Sequence, residues 1–253
     1  MKPNYKNWMP KGMIWSFLGG TAVSLLLCLL LRHIRWLAIV LAVVAVFFCA
    51  LTIWSILMYR AFSYDGKRRM SAQIIEGTAS RVALPAGGKC LDVGCGSGAL
   101  AIAVAKRNPQ AQVVGIDRWG KEYASFSRAL CEQNAKAEGV RNTTFQQGDA
   151  THLDFPDGTF DAVVSNYVYH NIPGERQAYL LETLRTLKKG GAFALHDIFS
   201  RSKYGDMQAF VQKLRDMGYQ KVELIDTTDG MFMTRFEAGW MALSGSALLV
   251  GIK

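Results

Sequence analysis

The sequence predicts an α/β fold, a doubly wound and mainly parallel sheet, preceded by a hairpin of two transmembrane helices. Three observations lead to this prediction. Residues 13–31 and 36–59 are almost wholly apolar, and from residue 83 onwards short apolar strands alternate with helices. In addition, a glycine-rich turn over residues 94–98 joins the first strand of this series to a helix. Such a turn at a strand end is typical of sites that bind nucleotide-like ligands.

Three domains follow from this pattern. Residues 1–59 form an N-terminal segment with the two spans, residues 60–82 a connector and helix, and residues 83–253 an α/β domain. Each apolar stretch reaches the roughly 20 residues that cross a bilayer as a helix. Only residues 32–35 separate the stretches, so a tight antiparallel hairpin is expected. A signal peptide is disfavoured, because no small-residue cleavage site follows the first stretch.

Charge indicates orientation and excludes one class of partner. Residues 1–81 contain ten Lys and Arg against two acidic residues, whereas the whole chain carries +9. The remainder is therefore nearly neutral, which argues against a nucleic-acid partner. More basic residues flank the outer ends of the hairpin than its loop. We therefore expect an integral membrane protein with two spans, and with both termini and the α/β domain in the cytoplasm.

Small residues recur on the first span at four-residue spacing, at Ser16, Gly20 and Ser24. This spacing lets helix backbones approach closely. We favour packing within the hairpin, and association between copies of the chain is the alternative.

The α/β domain alternates strands and helices in chain order. The predicted helices cover residues 70–82, 99–106, 121–137, 176–187 and 207–217. The predicted strands cover residues 90–93, 113–117, 143–147, 160–166, 192–198, 221–225 and 247–253. In such a sheet, ligands bind at the carboxyl ends of the strands.

Several motifs lie at these strand ends, in an order that suggests one family. Leu91-Asp92-Val93 leads into the turn Gly94-Cys95-Gly96-Ser97-Gly98, and the next strand ends at Asp117. Further along are Gly148-Asp149-Ala150, the strand of residues 160–166, and a glycine turn over residues 187–191. Together they resemble the class I S-adenosylmethionine-dependent methyltransferases, over roughly residues 70–253. The resemblance implies a Rossmann-like seven-stranded sheet whose last strand is antiparallel, with S-adenosylmethionine as the cofactor.

The resemblance also implies where the cofactor lies. Asp117 would hold the ribose hydroxyls, and Asp149 would accept from the adenine amino group, with Ala150 beside it. Trp119 or Arg118 would cover the adenine ring. The predicted cofactor residues are Asp92, Gly94, Cys95, Gly96, Gly98, Asp117, Arg118, Asp149, Ala150 and Asn166. The NAD fingerprint G-x-G-x-x-G places its third glycine one residue later. An NAD-dependent oxidoreductase stays an alternative, as does a membrane protein that binds the cofactor without turnover.

Catalytic candidates follow the fourth and fifth strands. His170 is placed to take a proton from the acceptor, and Tyr169 and Asp197 are the other predicted catalytic residues. The predicted substrate residues are Tyr64, Tyr167, Met231 and Phe232. Five cysteines without a C-x-x-C pair argue against a metal site.

The combined prediction is a membrane-anchored methyltransferase acting on a small hydrophobic or lipid-like acceptor, with the lipid bilayer as its partner. Three acceptors stay open. A quinone or phenolic lipid would be methylated on oxygen or carbon, a phospholipid amine on nitrogen, and a hydrophobic thiol on sulfur.

Overall fold

The computed structural model describes residues 2–120 and 125–253. The chain divides into two compact units. One, the hairpin unit, comprises residues 7–72. The other, the catalytic unit, comprises residues 2–6 together with residues 73–253. This division differs from the predicted one, because the first residues belong with the catalytic unit and most of the connector belongs with the hairpin.

The hairpin unit consists of two long antiparallel helices. Helix α1 spans Lys11–Leu30 and α2 spans Arg35–Phe62. The most apolar windows of these helices are only 6% and 11% buried, so their apolar side chains face outward. Both are long and apolar enough to cross a membrane. The predicted spans are therefore found as helices, each with slightly shifted ends.

The small-residue stripe on α1 packs inside the hairpin. A Cβ atom added at Gly20 would lie 3.0 Å from the Phe48 ring of α2, and Ser24 is buried. This contact agrees with the favoured interpretation of the stripe as packing within one chain.

The catalytic unit is built on a seven-stranded sheet in the order β3-β2-β1-β4-β5-β7-β6. The strands are β1 (Lys89–Val93), β2 (Gln112–Asp117), β3 (Thr143–Gln147), β4 (Phe160–Asn166), β5 (Leu187–Ile198), β6 (Gln220–Asp226) and β7 (Ser246–Ile252). The helices are α3 (Met70–Ala79), which begins just before the unit, α4 (Ala99–Arg107), α5 (Arg128–Ala137), α6 (Arg176–Arg185), α7 (Arg201–Tyr204), α8 (Met207–Asp216) and α9 (Arg235–Trp240). The first five strands are parallel, and β7 runs antiparallel to both β5 and β6. The antiparallel last strand and the Rossmann-like sheet are thus confirmed.

Apolar side chains on both faces of the sheet form the core. Every residue of α4 from Ala99 to Ala105 is buried, which explains why this helix consists almost entirely of small apolar residues. On α8, Phe210 and Leu214 are buried at the spacing of one helical face.

Two predicted boundaries were wrong. The expected helix over residues 121–137 begins at Arg128, because the Ser127 hydroxyl caps it by accepting from the Leu130 amide. Residues 121–124 of that prediction lie outside the described part of the chain. The expected turn over residues 187–191 is the start of β5, since Gly190 and Gly191 exchange backbone hydrogen bonds with Lys253.

Candidate active site

The parallel part of the sheet brings the predicted site residues to one edge. The glycine turn follows β1, Asp117 ends β2, Asn166 ends β4 and Asp197 lies near the end of β5. Asn166 and His196 are partners in register on neighbouring strands. Residues far apart in sequence therefore meet at the carboxyl ends of the strands, where ligands of such sheets bind.

The glycine turn has the backbone that a ligand cradle requires. Gly94, Gly96 and Gly98 have φ angles of 72°, 55° and 80°, a region that favours glycine. Among the described residues, a Cβ atom added at Gly96 would meet only the Phe126 ring, at 3.8 Å. Within the described part of the chain, no other atom lies within 4 Å of that added Cβ.

Asp117 is fixed beside this turn by two backbone donors. Its carboxylate accepts from the Gly96 amide and from the Trp119 amide, each at 2.8 Å. The Trp119 indole N–H donates to the Gly96 carbonyl at 3.0 Å. A carboxylate has about four acceptor positions, so Asp117 retains acceptors for the hydroxyls of a ribose. Trp119 was named only as one of two residues for the adenine face, and no sequence signal indicated its bond to the turn.

Asp92 lies behind the turn. Its side chain is 1% exposed and its carboxylate accepts from the Ala101 amide in the first turn of α4, at 2.9 Å. Burial raises its pKa to about 8. Asp92 therefore supports the junction of the turn and α4, and its predicted contact with the cofactor stays a prediction.

On the far side of β2, Asp149 is the predicted adenine residue. It accepts from the Thr151 amide and hydroxyl at 2.8 and 2.7 Å, and these bonds lower its pKa, with a smaller contribution from Arg118. An ionised carboxylate accepts hydrogen bonds, as an exocyclic amine requires. Ala150 is half-buried beside it. The structure thus places Asp117, Arg118 and Asp149 at one end of the site.

The segment after β4 lies against the glycine turn. A Cβ atom at Gly94 would overlap the Val168 side chain, so only glycine permits this approach. The chain turns sharply here, with φ of 54° at Tyr167 and a short 3-10 helix over Tyr169–Asn171. His170 is therefore held beside the cofactor turn.

His170 and Asp197 form a close pair. The His170 Nδ1 atom lies 2.5 Å from a carboxylate oxygen of Asp197. The His170 side chain is 13% exposed and that of Asp197 is 1% exposed. Asp197 also accepts from the backbone amides of Tyr169 and Ile198. With Asp197 as the acceptor of this bond, Nδ1 carries the ring proton and Nε2 is the nitrogen that can take a proton.

Tyr169 is a core residue, which contradicts its predicted catalytic contact. It is 1% exposed, and its hydroxyl pairs with the Thr183 hydroxyl at 2.6 Å. Burial raises its pKa strongly. The reversal of direction in the 3-10 helix explains the difference, because neighbouring side chains there point apart.

A buried polar network flanks the pair. His196 contacts the Asn166 side-chain oxygen at 2.8 Å and the Thr227 hydroxyl at 3.0 Å, and burial lowers its pKa to about 3, so it is neutral. The Tyr167 hydroxyl pairs with Ser246 at 2.8 Å. No sequence motif pointed to Thr227, which follows β6, or to Ser246, which begins β7.

Three of the four predicted substrate residues lie in the catalytic unit. The ring centroids of Tyr167 and His196 are 4.7 Å apart, and those of His196 and Phe232 are 5.4 Å apart. Met231 is 41% exposed. Tyr64 belongs to the hairpin unit, so its predicted role stays a prediction. Among the described residues, no group of His, Cys, Asp and Glu could hold a metal ion.

Comparisons with known proteins agree with this geometry. A family model described as "Methyltransferase domain" matches residues 84–231. The chain is 30% identical over 147 residues to the uncharacterized methyltransferase YcgJ of Bacillus subtilis. The aligned region is 57% of this chain and 54% of that protein. It is 31% identical to the ubiquinone/menaquinone biosynthesis C-methyltransferase UbiE of Desulfotalea psychrophila, over 65% of this chain and 60% of that one. The chain thus matches little more than half the length of such relatives.

The fold is also found in solved structures. The crystal structure of the 4+2 cyclase SpnF superposes with a TM-score of 0.57 and 22% identity, over 74% of this chain and 82% of that one. At this identity the likeness concerns the fold alone.

Proposed function

Because this chain belongs to the methyltransferase domain family, with S-adenosylmethionine as its cofactor, we propose that it methylates a small hydrophobic acceptor at a membrane. The observation that carries the proposal is the His170–Asp197 pair beside the glycine turn. This pair places a candidate proton acceptor, His170, next to the glycine turn that would bind the cofactor.

His170 acts as the general base on an acceptor whose nucleophile carries a proton. Its Nε2 atom would take that proton as the acceptor becomes methylated. S-adenosylmethionine, when bound at the glycine turn, would supply the methyl group. Asp197 holds the ring in the required tautomer and stabilises the imidazolium that forms.

The residues present fit S-adenosylmethionine. The positive φ of Gly96 suits a ligand-binding turn, Asp117 retains acceptors for ribose hydroxyls, and Asp149 is an ionised acceptor suited to the adenine amine. The match of residues 84–231 to the methyltransferase domain model favours methyl transfer over the oxidoreductase alternative. The His170–Asp197 pair favours turnover over cofactor binding alone.

Two features support a hydrophobic acceptor with an acidic hydroxyl. A phenol or quinol is protonated at neutral pH and requires a base, whereas a neutral amine does not. The relative UbiE is named a ubiquinone/menaquinone biosynthesis C-methyltransferase. A thiol also needs a base, so it is the name of this relative that favours a quinol-like lipid over a thiol acceptor.

The hairpin unit supports attachment to a membrane. Its two apolar helices expose their side chains, as lipid-facing helices do. The basic residues outside the spans favour cytoplasmic termini. The catalytic unit would then act at the cytoplasmic face.

Ligand-dependent stability tests the cofactor site. S-adenosylhomocysteine should raise the melting temperature of the detergent-solubilised protein, since a ligand of the native state stabilises it by mass action. NADH should not. Asp117→Ala should remove most of the shift, while Asp154→Ala, on an exposed residue, should retain it. Stabilisation by NADH without stabilisation by S-adenosylhomocysteine would contradict the proposal.

A further inference from the structure

The catalytic unit exposes few large apolar side chains. Among its described residues, only Met217, Met231 and Phe236 are more than about a third exposed, at 55%, 41% and 79%. Exposed single residues are ordinary. Met231 and Phe236, however, lie five residues apart in one segment, residues 229–241, which we call the tip segment.

The tip segment is firmly held, so the exposure of Phe236 does not reflect a loose chain. Helix α9 begins with a capping box between Thr234 and Glu237. On either side of Phe236, Met233 and Ala238 are buried at 1% and 2% exposure. One face of the segment packs on the unit while the opposite face presents Phe236.

Trp240 lies one helical turn after Phe236, on the same side of α9, and is partly exposed. The exposed Arg235 side chain lies 3.5 Å from the Asp229 carboxylate, so the segment offers exposed aromatic rings without an unpaired cation from Arg235. Aromatic side chains are enriched where a protein meets the lipid–water interface.

The tip segment leads into the active site through stacked rings. Phe232 follows Met231 and is edge-on to His196, which contacts Tyr167. The Tyr167 and His170 ring centroids are 5.9 Å apart. Ring-to-ring contacts thus link Phe232 of the tip segment to His170 through the buried ring of His196 and the partly buried ring of Tyr167.

The tip segment also lies beside the element that leaves the hairpin. A Cβ atom at Gly77 of α3 would overlap the Phe232 ring, and the Arg81 guanidinium lies 3.8 Å from the Met231 sulfur. Only residues 63–69 separate α2 from α3. The residues that contact Met231 and Phe232 therefore follow α2 closely in the sequence.

We propose that Met231, Phe236 and Trp240 insert into the lipid–water interface and admit a bilayer-dissolved acceptor to His170. The occupant of this surface is the lipid bilayer. The route for the acceptor rests on the proposed function, whereas the lipid contact does not depend on catalysis.

Photocrosslinking tests the contact in the full-length chain. Phe236→p-benzoylphenylalanine is reconstituted in vesicles of phosphatidylethanolamine and phosphatidylglycerol and irradiated, and the protein is analysed by mass spectrometry. Met217→p-benzoylphenylalanine is the matched control, since Met217 is also an exposed apolar residue of the catalytic unit. Both variants should melt at the temperature of the unmodified protein, which shows that they are folded.

We expect a phospholipid adduct at position 236 and at most a tenth as much at position 217. Equal adducts at both positions, no lipid adduct at position 236, or crosslinking of position 236 to a second copy of the chain would each overturn the proposal. Since the readout is a lipid adduct, it is separate from S-adenosylhomocysteine binding. Failure of the S-adenosylhomocysteine test therefore does not contradict the lipid contact. Failure of the crosslinking test likewise does not contradict the cofactor site.

Discussion

Asp197 organises the part of the site around His170. It accepts from three backbone amides and from the His170 ring, and it is almost completely buried. A buried carboxylate with this many donors cannot move without leaving several of them unpaired. The orientation of His170 therefore depends on the fold of β5 and of the 3-10 helix.

Replacing the proposed base separates catalysis from binding. His170→Ala should lower kcat by about 100- to 10,000-fold, because a positioned proton acceptor contributes that much. Asp197→Asn should also lower kcat, since the amide favours the wrong ring tautomer. S-adenosylhomocysteine binding, measured by calorimetry, should be retained in both variants. The kcat values are measured separately, with a demethylated quinol as the acceptor.

Tyr169→Phe is the control for that experiment. It removes the hydroxyl bonded to Thr183 in the core and should lower the free energy of unfolding by about 1 kcal/mol. Because Tyr169 does not face the site, kcat should stay unchanged. A loss of kcat as large as that of His170→Ala would restore Tyr169 as a catalytic residue.

Asp92 makes stability depend on pH. Its pKa of about 8 in the folded protein lies above the usual value of 3.8. Between these values the folded state keeps a proton that the unfolded state has released, so the free energy of unfolding falls as pH rises. The slope is at most about 1.4 kcal/mol per pH unit. Asp92→Asn should reduce this slope, which is followed as the change in melting temperature between about pH 5 and about pH 8. The control variant Asp154→Asn, on an exposed residue, should leave the slope unchanged.

At the scale of elements, the site depends on the contact between the glycine turn and the segment after β4. Gly94 combines a φ of 72° with an approach to Val168 that leaves no room for a methyl group. Two adjacent strand ends are thereby held together, which brings His170 to the cofactor turn. Gly94 is therefore required both for the turn after β1 and for the close contact between this turn and the segment after β4.

Gly94→Ala should therefore separate the two halves of the site. We expect a loss of about 1–3 kcal/mol in stability from the strained φ and the overlap, and weaker S-adenosylhomocysteine binding. Gly139→Ala is a matched control, since its φ is 71° but no heavy atom lies within 4 Å of an added Cβ. Adding Val168→Ala to Gly94→Ala should restore part of the binding, and no restoration would refute the steric explanation.

For the whole molecule, the first residues and the catalytic domain belong to one unit. The Asn4 amide donates to the Asn134 side chain at 2.6 Å, and the Tyr5 hydroxyl donates to Glu138 at 3.1 Å. The chain leaves this unit at residue 7 and returns at residue 73. If α1 and α2 cross a bilayer, both ends of the hairpin must then lie on the same side.

Labelling in intact cells tests this topology. Cysteines placed at residues 3 and 253 should react with an impermeant maleimide only after permeabilisation, whereas His33→Cys in the loop should react without it. The parent chain gives the background from its native cysteines. Labelling of residue 3 or residue 253 from outside would contradict cytoplasmic termini.

Local properties of the sequence were sufficient for the elements and the cofactor side. The lengths of the apolar stretches predicted α1 and α2, and the alternation of strands and helices predicted the parallel sheet, because both depend on short-range periodicity. The glycine turn, Asp117 and Asp149 follow strands directly, so their position at the sheet edge could be derived from the order of motifs. The direction of β7 came only from the family resemblance.

Tertiary structure alone decided the His170–Asp197 end of the site. His170 and Asp197 are 27 residues apart, and their pairing depends on the neighbouring positions of β4 and β5. The 3-10 helix decides that His170 faces the site and Tyr169 the core. This helix is only three residues long, which is too short for a periodic sequence pattern to predict it. Asp92 is a support behind the turn because β1 buries it. The sequence by itself determined the two long apolar helices, the sheet and the glycine turn through local patterns, and packing between distant segments determined which polar side chains meet beside that turn.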